Sequence, residues 1–444
     1  MKTTLNSDFE QELLGKNSPL SKLRRILAHP VAHNALSLYA LQSANFILPL
    51  VTIPYLARIL RPSGLGLVVF VQAFSAWGSL VLEYGFNLSA TREIARHRDE
   101  PNIIAKIVAD VTGAKILLIT AATLLSLVAG FFIPVLRHNP ACVIFALIFI
   151  IGSGFSPLWF FQGNERMFTS ASVDVFIRLV STVVVFLFVH LPSDGWKVLA
   201  LQAAGALLSS LILQTLMYRN VRWVWPRVDG SLSALKLGWP MFLFRSSVSL
   251  YTTANAFILG LFVSPAIVAY YGGAEKISKA FYMLLNPISQ ALYPRMSNLI
   301  ARDNDQATKL ARASMLFIGG LGIVVGIVIL LGAPMMVRLL LGPGYEASVP
   351  VLRAMSLLVP MIALSNVLGI QWMLPMGLDK LFNTIIITAG ALNLVLALFM
   401  APTFGIMGMA WSVNIAETYV TVSMFVTLWW RGSTLLTSGA KNEG

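Results

Sequence analysis

The chain has 444 residues, of which 57% are hydrophobic and only 11% charged, and a formal net charge of +13. A water-soluble domain spends roughly a quarter of its residues on charge, so no soluble core accounts for this composition. Nucleic-acid binding is not needed to explain the excess of Lys and Arg, because in a membrane protein such residues set orientation. A lone cysteine, Cys142, excludes an intramolecular disulfide and reads as a packed, inert side chain. The sequence has no Walker loop, no HExxH and no paired Cys ligands, and His29, His33, His97, His138 and His190 stand singly. ATP hydrolysis and metal catalysis therefore have no visible machinery, and no cofactor is called for.

In chain order, residues 1–33 are polar and carry no cleavable signal pattern. From Pro19 to His33, the row Leu20, Leu23, Ile26, Leu27 and Val31 opposite Lys22, Arg24 and Arg25 predicts a short helix on the inner membrane surface. Apolar runs long enough to cross a hydrocarbon core of about 30 Å, roughly 20 helical residues, then recur. They fall near 34–57, 64–86, 107–136, 141–162, 170–191, 196–218, 238–263, 266–293, 313–333, 350–374, 381–401 and 405–430. The expected fold is an all-α polytopic membrane protein of about 12 transmembrane helices. The longest polar connection, 219–237, falls halfway and carries Trp223, Trp225 and Pro226. It divides the chain into a first lobe of six spans, 34–218, and a second, 238–430, followed by a tail, 431–444.

An even number of spans puts both ends on one side. With that side taken as the cytoplasm, 21 basic residues lie inside, six outside and five within spans. This asymmetry predicts cytoplasmic termini by the positive-inside rule.

Charges left inside spans cost roughly 2.5–3.5 kcal/mol each on insertion scales and mark functional sites until shown otherwise. The basic set is Lys115, Arg178, Arg245, Lys276 and Lys279; the acidic set is Glu83, Asp110, Asp174, Glu275 and Glu417. Asp174 and Arg178, like Glu275 and Lys279, are four residues apart, a spacing that serves an internal ion pair as readily as a binding site. Glu83 and Asp110 lie within a turn of the inner face and can reach water. Arg245 and Lys276 have no local acid of their own, and Lys115 has only Asp110 five positions earlier. The deep charges therefore lean basic, toward the inner half, and a cationic interior wants an anionic guest. Arg in particular suits phosphate. The seventh and eighth spans are also unusually polar, with Ser246, Ser247, Tyr251, Thr252 and Asn255 on one and Tyr270, Tyr271, Ser278, Tyr282 and Asn286 on the other. Small polar side chains serve helix packing as well as ligands.

Five stretches carry a family resemblance: ARILRPSGLG at 57–66, EYGFNLSATREIARHRDE at 83–100, PLWFFQGNERM at 157–167, YYGGAEKISKAFYMLLNPISQALYPRMSNL at 270–299 and LLLGPGYEASVPVLR at 339–353. They resemble segments of Wzx-type O-antigen flippases, in the polysaccharide transport branch of the multidrug/oligosaccharidyl-lipid/polysaccharide exporter superfamily. The likeness extends from about 34 to 430. The N-terminal extension is longer than the family's usual start, and twelve spans differ from the fourteen typical of the lipid II flippase branch.

The resemblance implies two six-helix lobes forming a V around a central cationic cavity. It implies movement of an undecaprenyl-diphosphate-linked oligosaccharide from the inner to the outer leaflet of a Gram-negative inner membrane, beside an O-antigen polymerase and a chain-length regulator. Membrane lipids are the other expected partner, and no nucleic acid is involved. On this reading Arg245, Lys276 and Lys279 hold the diphosphate, with Lys115 and Arg178 contributing from the first lobe and Tyr251, Tyr271 and Asn255 toward the glycan. Asp174, Glu275 and Glu83 are the acids available for ion coupling. The alternative is a cation-coupled multidrug exporter of the same superfamily, which would favour acids in the cavity. A membrane glycosyltransferase or polymerase would want a long external catalytic loop, and none is present.

Overall fold

The computed structural model describes residues 30–283 and 285–431, so the expected surface helix before Pro30 and the tail beyond Arg431 lie outside the described residues. Everything described is helix or short connection, with no strand among the described residues. The first half comprises α1 (Pro30–Glu83), α2 (Phe86–Arg96), α3 (Pro101–Phe132), α4 (Pro134–Arg137), α5 (Pro140–Phe155), α6 (Leu158–Gly163), α7 (Met167–Phe188) and α8 (Gly195–Tyr218). The second comprises α9 (Val228–Thr252), α10 (Asn255–Gly260), α11 (Pro265–Met283), α12 (Asn286–Arg302), α13 (Asn304–Leu340), α14 (Ser348–Met355), α15 (Leu358–Ser365) and α16 (Asp379–Trp430). A π-helical stretch, Asn366–Met373, follows α15.

Among the described residues, eight helical stretches are long and apolar enough to cross a membrane, so the chain is a multi-pass membrane protein. Two of them are too long for one crossing. Leu48–Arg96 holds 49 residues and Asp379–Trp430 holds 52, about 75 Å of helix each at 1.5 Å per residue. Both are broken inside. Arg61 leaves helical geometry at φ 57°, ψ 174°, where Pro62 disfavours the helical region for the residue before it. Gly405 does so at φ 57°, ψ −132°, a conformation open essentially to glycine alone. Of the expected spans, 238–263 and 266–293 are not among the eight. The Ser, Thr, Tyr and charged residues that make α9 and α11 interesting also make them poorly apolar.

The halves share a core at one end only. A large buried cluster runs from Leu60, Val68 and Phe70 of α1 through Val198 of α8 to Leu259, Val268, Tyr271 and Ala274, and on to Val337 and Leu352. At this hinge end Gly66 of α1 lies so close to Pro265 that a Cβ there would strike the Pro265 carbonyl. Toward the other end each half closes on a core of its own: Phe86, Ile94, Ile104, Trp159 and Leu213 in the first, and Met296, Ala311, Trp372, Ile385 and Met424 in the second. Two bundles joined at one end and separately cored at the other form a V. Helix α9 spans the gap, packing on α16 of its own half and on α3 and α2 of the other.

Candidate functional site between the halves

Four levels of polar contact follow the seam from the hinge end to the open end. At the hinge end the Tyr345 hydroxyl donates to the Ala57 carbonyl (3.2 Å), and Arg58 Nη2 donates to the Leu339 carbonyl at the end of α13 (2.7 Å). A cation there meets the negative end of the helix dipole. These contacts bind ARILRPSGLG to LLLGPGYEASVP.

One level down, Lys276 of α11 crosses to the first half. Its Nζ donates to Gln72 Oε1 on α1 (3.1 Å), and Gln72 Nε2 donates to Gln202 Oε1 on α8 (3.0 Å). Gln72, Gln202 and Ser75 border a cavity of about 70 Å³ closed by Phe145, Phe149 and Leu199.

The third level lies inside the second half. Tyr271, Glu275, Ser278 and Tyr282 recur at helical spacing on α11 and, with Lys279, face a cavity of about 50 Å³ shared with Thr252, Asn255 and Glu417. Lys279 Nζ donates to Glu275 Oε1 (3.0 Å) and to the Thr252 carbonyl (2.8 Å). Glu417 of α16, only 7% exposed, accepts from the Ser365 hydroxyl (2.7 Å). Asn255 accepts from Asn393 (2.9 Å). The Tyr271 hydroxyl is fully buried and has no hydrogen-bond partner among the described residues.

At the open end Arg245 of α9 reaches Glu83 at the end of α1, Nη2 to Oε1 3.1 Å, and Glu83 also accepts from Asn87 (2.7 Å). Beside this ion pair the Tyr84 and Phe242 rings stack at 4.7 Å and 13°.

The cations expected to share one cavity are therefore dispersed. Arg245 and Lys276 stand at the seam, and Lys279 faces the cavity of the second half. Lys115 is buried inside the first half, donating to the Gly154 (2.6 Å) and Ser156 (3.3 Å) carbonyls. It caps the last turn of α5, whose orphan carbonyls a break before Pro157 leaves without helical partners. Arg178 is exposed on α7, and Asp174 accepts a hydrogen bond from Ser209 of α8. The side chain of Tyr251 lies outside the described residues. Sequence reasoning missed Gln72 and Gln202, whose neutral side chains give no charge signal. It noted Glu417 as an intramembrane acid without assigning it to the site.

Comparison with known proteins agrees with this architecture. Residues 31–300 match the model of a family described as polysaccharide biosynthesis protein. A protein of Escherichia coli (strain K12) assigned as an O-antigen transporter is 33% identical over 398 residues, 88% of this chain and 95% of that one. Among solved structures, the lipid II flippase MurJ in an inward closed conformation superposes with TM-score 0.70 at 14% identity, covering 89% of this chain and 87% of that one. An inward-facing MATE multidrug transporter of the MOP superfamily gives 0.58, also at 14%, covering 89% and 99%. With a family model covering more than half of its length and a relative alike almost end to end, the chain belongs to the polysaccharide biosynthesis protein family of membrane transporters.

Proposed function

We propose that the chain is a flippase that carries undecaprenyl-diphosphate-linked O-antigen oligosaccharide from the cytoplasmic to the periplasmic leaflet of a Gram-negative inner membrane. The supporting observation is a V whose halves are fused at one end and whose seam carries Arg245 and Lys276, in a chain alike along 95% of an O-antigen transporter. Breaking the two longest stretches at Arg61 and Gly405 and adding α9 and α11 to the apolar helices gives twelve passes, six on either side of 219–237. The positive-inside rule then puts the open end in the cytoplasm.

The chemistry follows from charge. A lipid diphosphate brings about two negative charges that must leave the headgroup layer, and guanidinium and ammonium groups replace its water. At the open end Arg245 exchanges Glu83 for a diphosphate oxygen, and deeper in the seam Lys276 exchanges Gln72. Lys279 and the Tyr271 hydroxyl extend the polar path into the second half. The prenyl tail stays in lipid beside the seam, and the glycan needs more room than the present cavities of about 50 and 70 Å³, since small-molecule pockets run to roughly 300–1,000 Å³. Loading therefore parts the Arg245–Glu83 and Tyr84–Phe242 contacts. Release requires the hinge-end contacts of Arg58 and Tyr345 to part in turn. The product then meets the O-antigen polymerase and chain-length regulator.

Energy enters through a carboxylate. Glu417 is the strongest candidate beside Glu275, Asp174 and Glu83, because the hydroxyl of Ser365 is the donor it has, whereas Glu275 and Glu83 each have a cation. The same pairing weighs against the multidrug alternative, since acids already matched by Lys279 and Arg245 offer little to a cationic drug. Complementation tests the reading: a flippase-null strain supplied with this gene regains surface O-antigen, and R245A or K276A at normal protein level does not. Normal display by both variants defeats the binding assignment.

A further inference from the structure

The stretch joining α8 to α9 presents a surface that translocation does not use. Residues 220–227 are non-helical, and one side of them is fastened to the first half. Val221 is buried among Leu213, Met217 and Trp159, and Pro226 packs so near Gly113 of α3 that a Cβ there would strike it. Tyr218 and Trp223 rings meet at 4.9 Å. The other side is bare: Trp225 is 78% exposed, Val228 68% and Trp223 49%. The two indoles meet edge to face at 5.8 Å. Arg219, Arg222 and Arg227, all exposed, flank them, and Asp229 is the one acid between 219 and 232.

We propose that this shelf is a docking site for anionic phospholipid headgroups at the bilayer surface beside α8 and α9. Three observations converge. Helix α8 is one of the membrane-crossing stretches and ends at Tyr218, so the shelf begins where the chain leaves hydrocarbon. Tryptophan favours that boundary, with its ring among acyl carbons and its N–H in the headgroup layer. Three guanidinium forks against two carboxylates, Asp229 and the Asp110 of α3 that lies beside Gly230, leave a net positive surface that complements phosphates rather than choline, and each basic residue near an anionic leaflet adds attraction. The fastened inner side makes the shelf preorganised, so lipid binding orders little new chain. Lipid held here steadies the start of α9, the helix that carries Arg245. The inference needs α8 to span the membrane but does not depend on what the protein transports.

The test uses the full-length protein in nanodiscs of phosphatidylcholine with and without phosphatidylglycerol. It reads the ratio of the two lipids retained on the protein and the amide hydrogen exchange of 219–228. The wild type retains phosphatidylglycerol preferentially and its shelf exchanges more slowly when that lipid is present. R219Q/R222Q/R227Q lowers the preference by on the order of fivefold per arginine, whereas the matching Arg→Lys triple keeps most of it. The W223A/W225A pair speeds exchange in both kinds of disc. Melting in detergent checks that each variant folds, and the remaining basic excess on that side preserves its orientation. An unchanged lipid preference in the glutamine triple overturns the proposal, as does exchange that is indifferent to phosphatidylglycerol. Protection that appears only with a cytosolic extract assigns the surface to a protein and overturns it equally.

Discussion

Arg245 and Glu83 meet at 3.1 Å across the open end of the V, 37% and 22% exposed, and tie α9 to the last turn of α1. A partly exposed pair of this kind adds at most about 1 kcal/mol to stability, so its removal leaves the protein folded. Glu83→Gln removes the charge that holds Arg245 while leaving the arginine for substrate. The expected outcome is a looser seam. In a Cys142→Ser background, the pair Tyr84→Cys and Phe242→Cys forms its disulfide more slowly once Glu83→Gln is added. Equal rates with and without it disconnect the ion pair from closure.

Lys276 tests charge apart from hydrogen bonding. Lys276→Gln still donates toward Gln72, so the contact between α11 and α1 survives, but the positive charge is gone. Surface O-antigen per molecule of transporter falls at least tenfold, while Lys276→Arg retains a substantial part of it. Equal transport by Lys276→Gln and the wild type reduces Lys276 to a packing residue.

The opposite pattern is expected for Lys115. The residue is 3% exposed, and its ammonium satisfies two carbonyls at the end of α5. Lys115→Met leaves those carbonyls buried without a donor, a cost of about 1–3 kcal/mol for a buried polar group. Protein level and melting temperature drop, whereas transport divided by protein level stays near that of the wild type. A folded Lys115→Met protein that cannot transport returns Lys115 to the binding set.

The contrast between Lys276 and Lys115 shows where the sequence was legible. Apolar runs announced the membrane helices, because a span must hide its backbone in itself and needs about 20 apolar residues to do so. Intramembrane charge announced a polar interior for the same reason. What neither signal could give was direction. Lys115 and Lys276 are alike as letters, yet one turns into its own bundle and the other across the seam, which depends on how α3 and α11 rotate against their neighbours. Glu275 and Lys279, four apart, did form the pair their spacing allowed. Gln72 and Gln202 stayed invisible because a neutral amide in a span looks like any packing residue until its partner is placed. The kinks fell between these extremes: both breaks were legible as gaps between apolar runs, at 58–63 and 402–404, but the residue that leaves helical geometry was legible only at Arg61, which stands before Pro62.

Outside the membrane, Asp303 gives a pH dependence with a definite sign. It caps α13, accepting from the Gln306 backbone N–H at 2.9 Å, and that hydrogen bond holds its carboxyl below the usual carboxylate range. A carboxyl lowered on folding stabilises above its unfolded value, about pH 4, and loses that stabilisation as pH falls through the folded value. Protection at the start of α13, taken relative to the intrinsic exchange rate at each pH, therefore falls below about pH 4 in the wild type. Asp303→Ala shows the lower protection already at neutral pH and loses the acid-dependent change at this site. A start of α13 that is equally protected in both proteins at neutral pH removes Asp303 as its cap.

Glu417 carries the prediction about energy. It lines the cavity of the second half together with Tyr271, with Ser365 as its donor, while Lys279 is engaged by Glu275. An ionised carboxylate in so enclosed a place is costly without a cation, and in the proposed cycle Glu417 exchanges a proton or a bound cation as the cavity opens and closes. Glu417→Gln keeps the shape and can still hydrogen-bond to Ser365, so the protein accumulates and melts normally. What it loses is the exchange. In proteoliposomes with a lipid-linked oligosaccharide, transport by the wild type rises when a pH or sodium gradient is imposed, and transport by Glu417→Gln stays at the ungraded rate. The ion whose gradient matters identifies the coupled species. A variant that responds to the gradient as the wild type does moves the coupling to Asp174, Glu275 or Glu83. Tyr271→Phe provides the control within the same cavity: it deletes a hydroxyl that has no partner among the described residues, so its stability is unchanged or slightly higher. Slower gradient-driven transport in that variant means that the hydroxyl finds its partner only when the ion or substrate is bound.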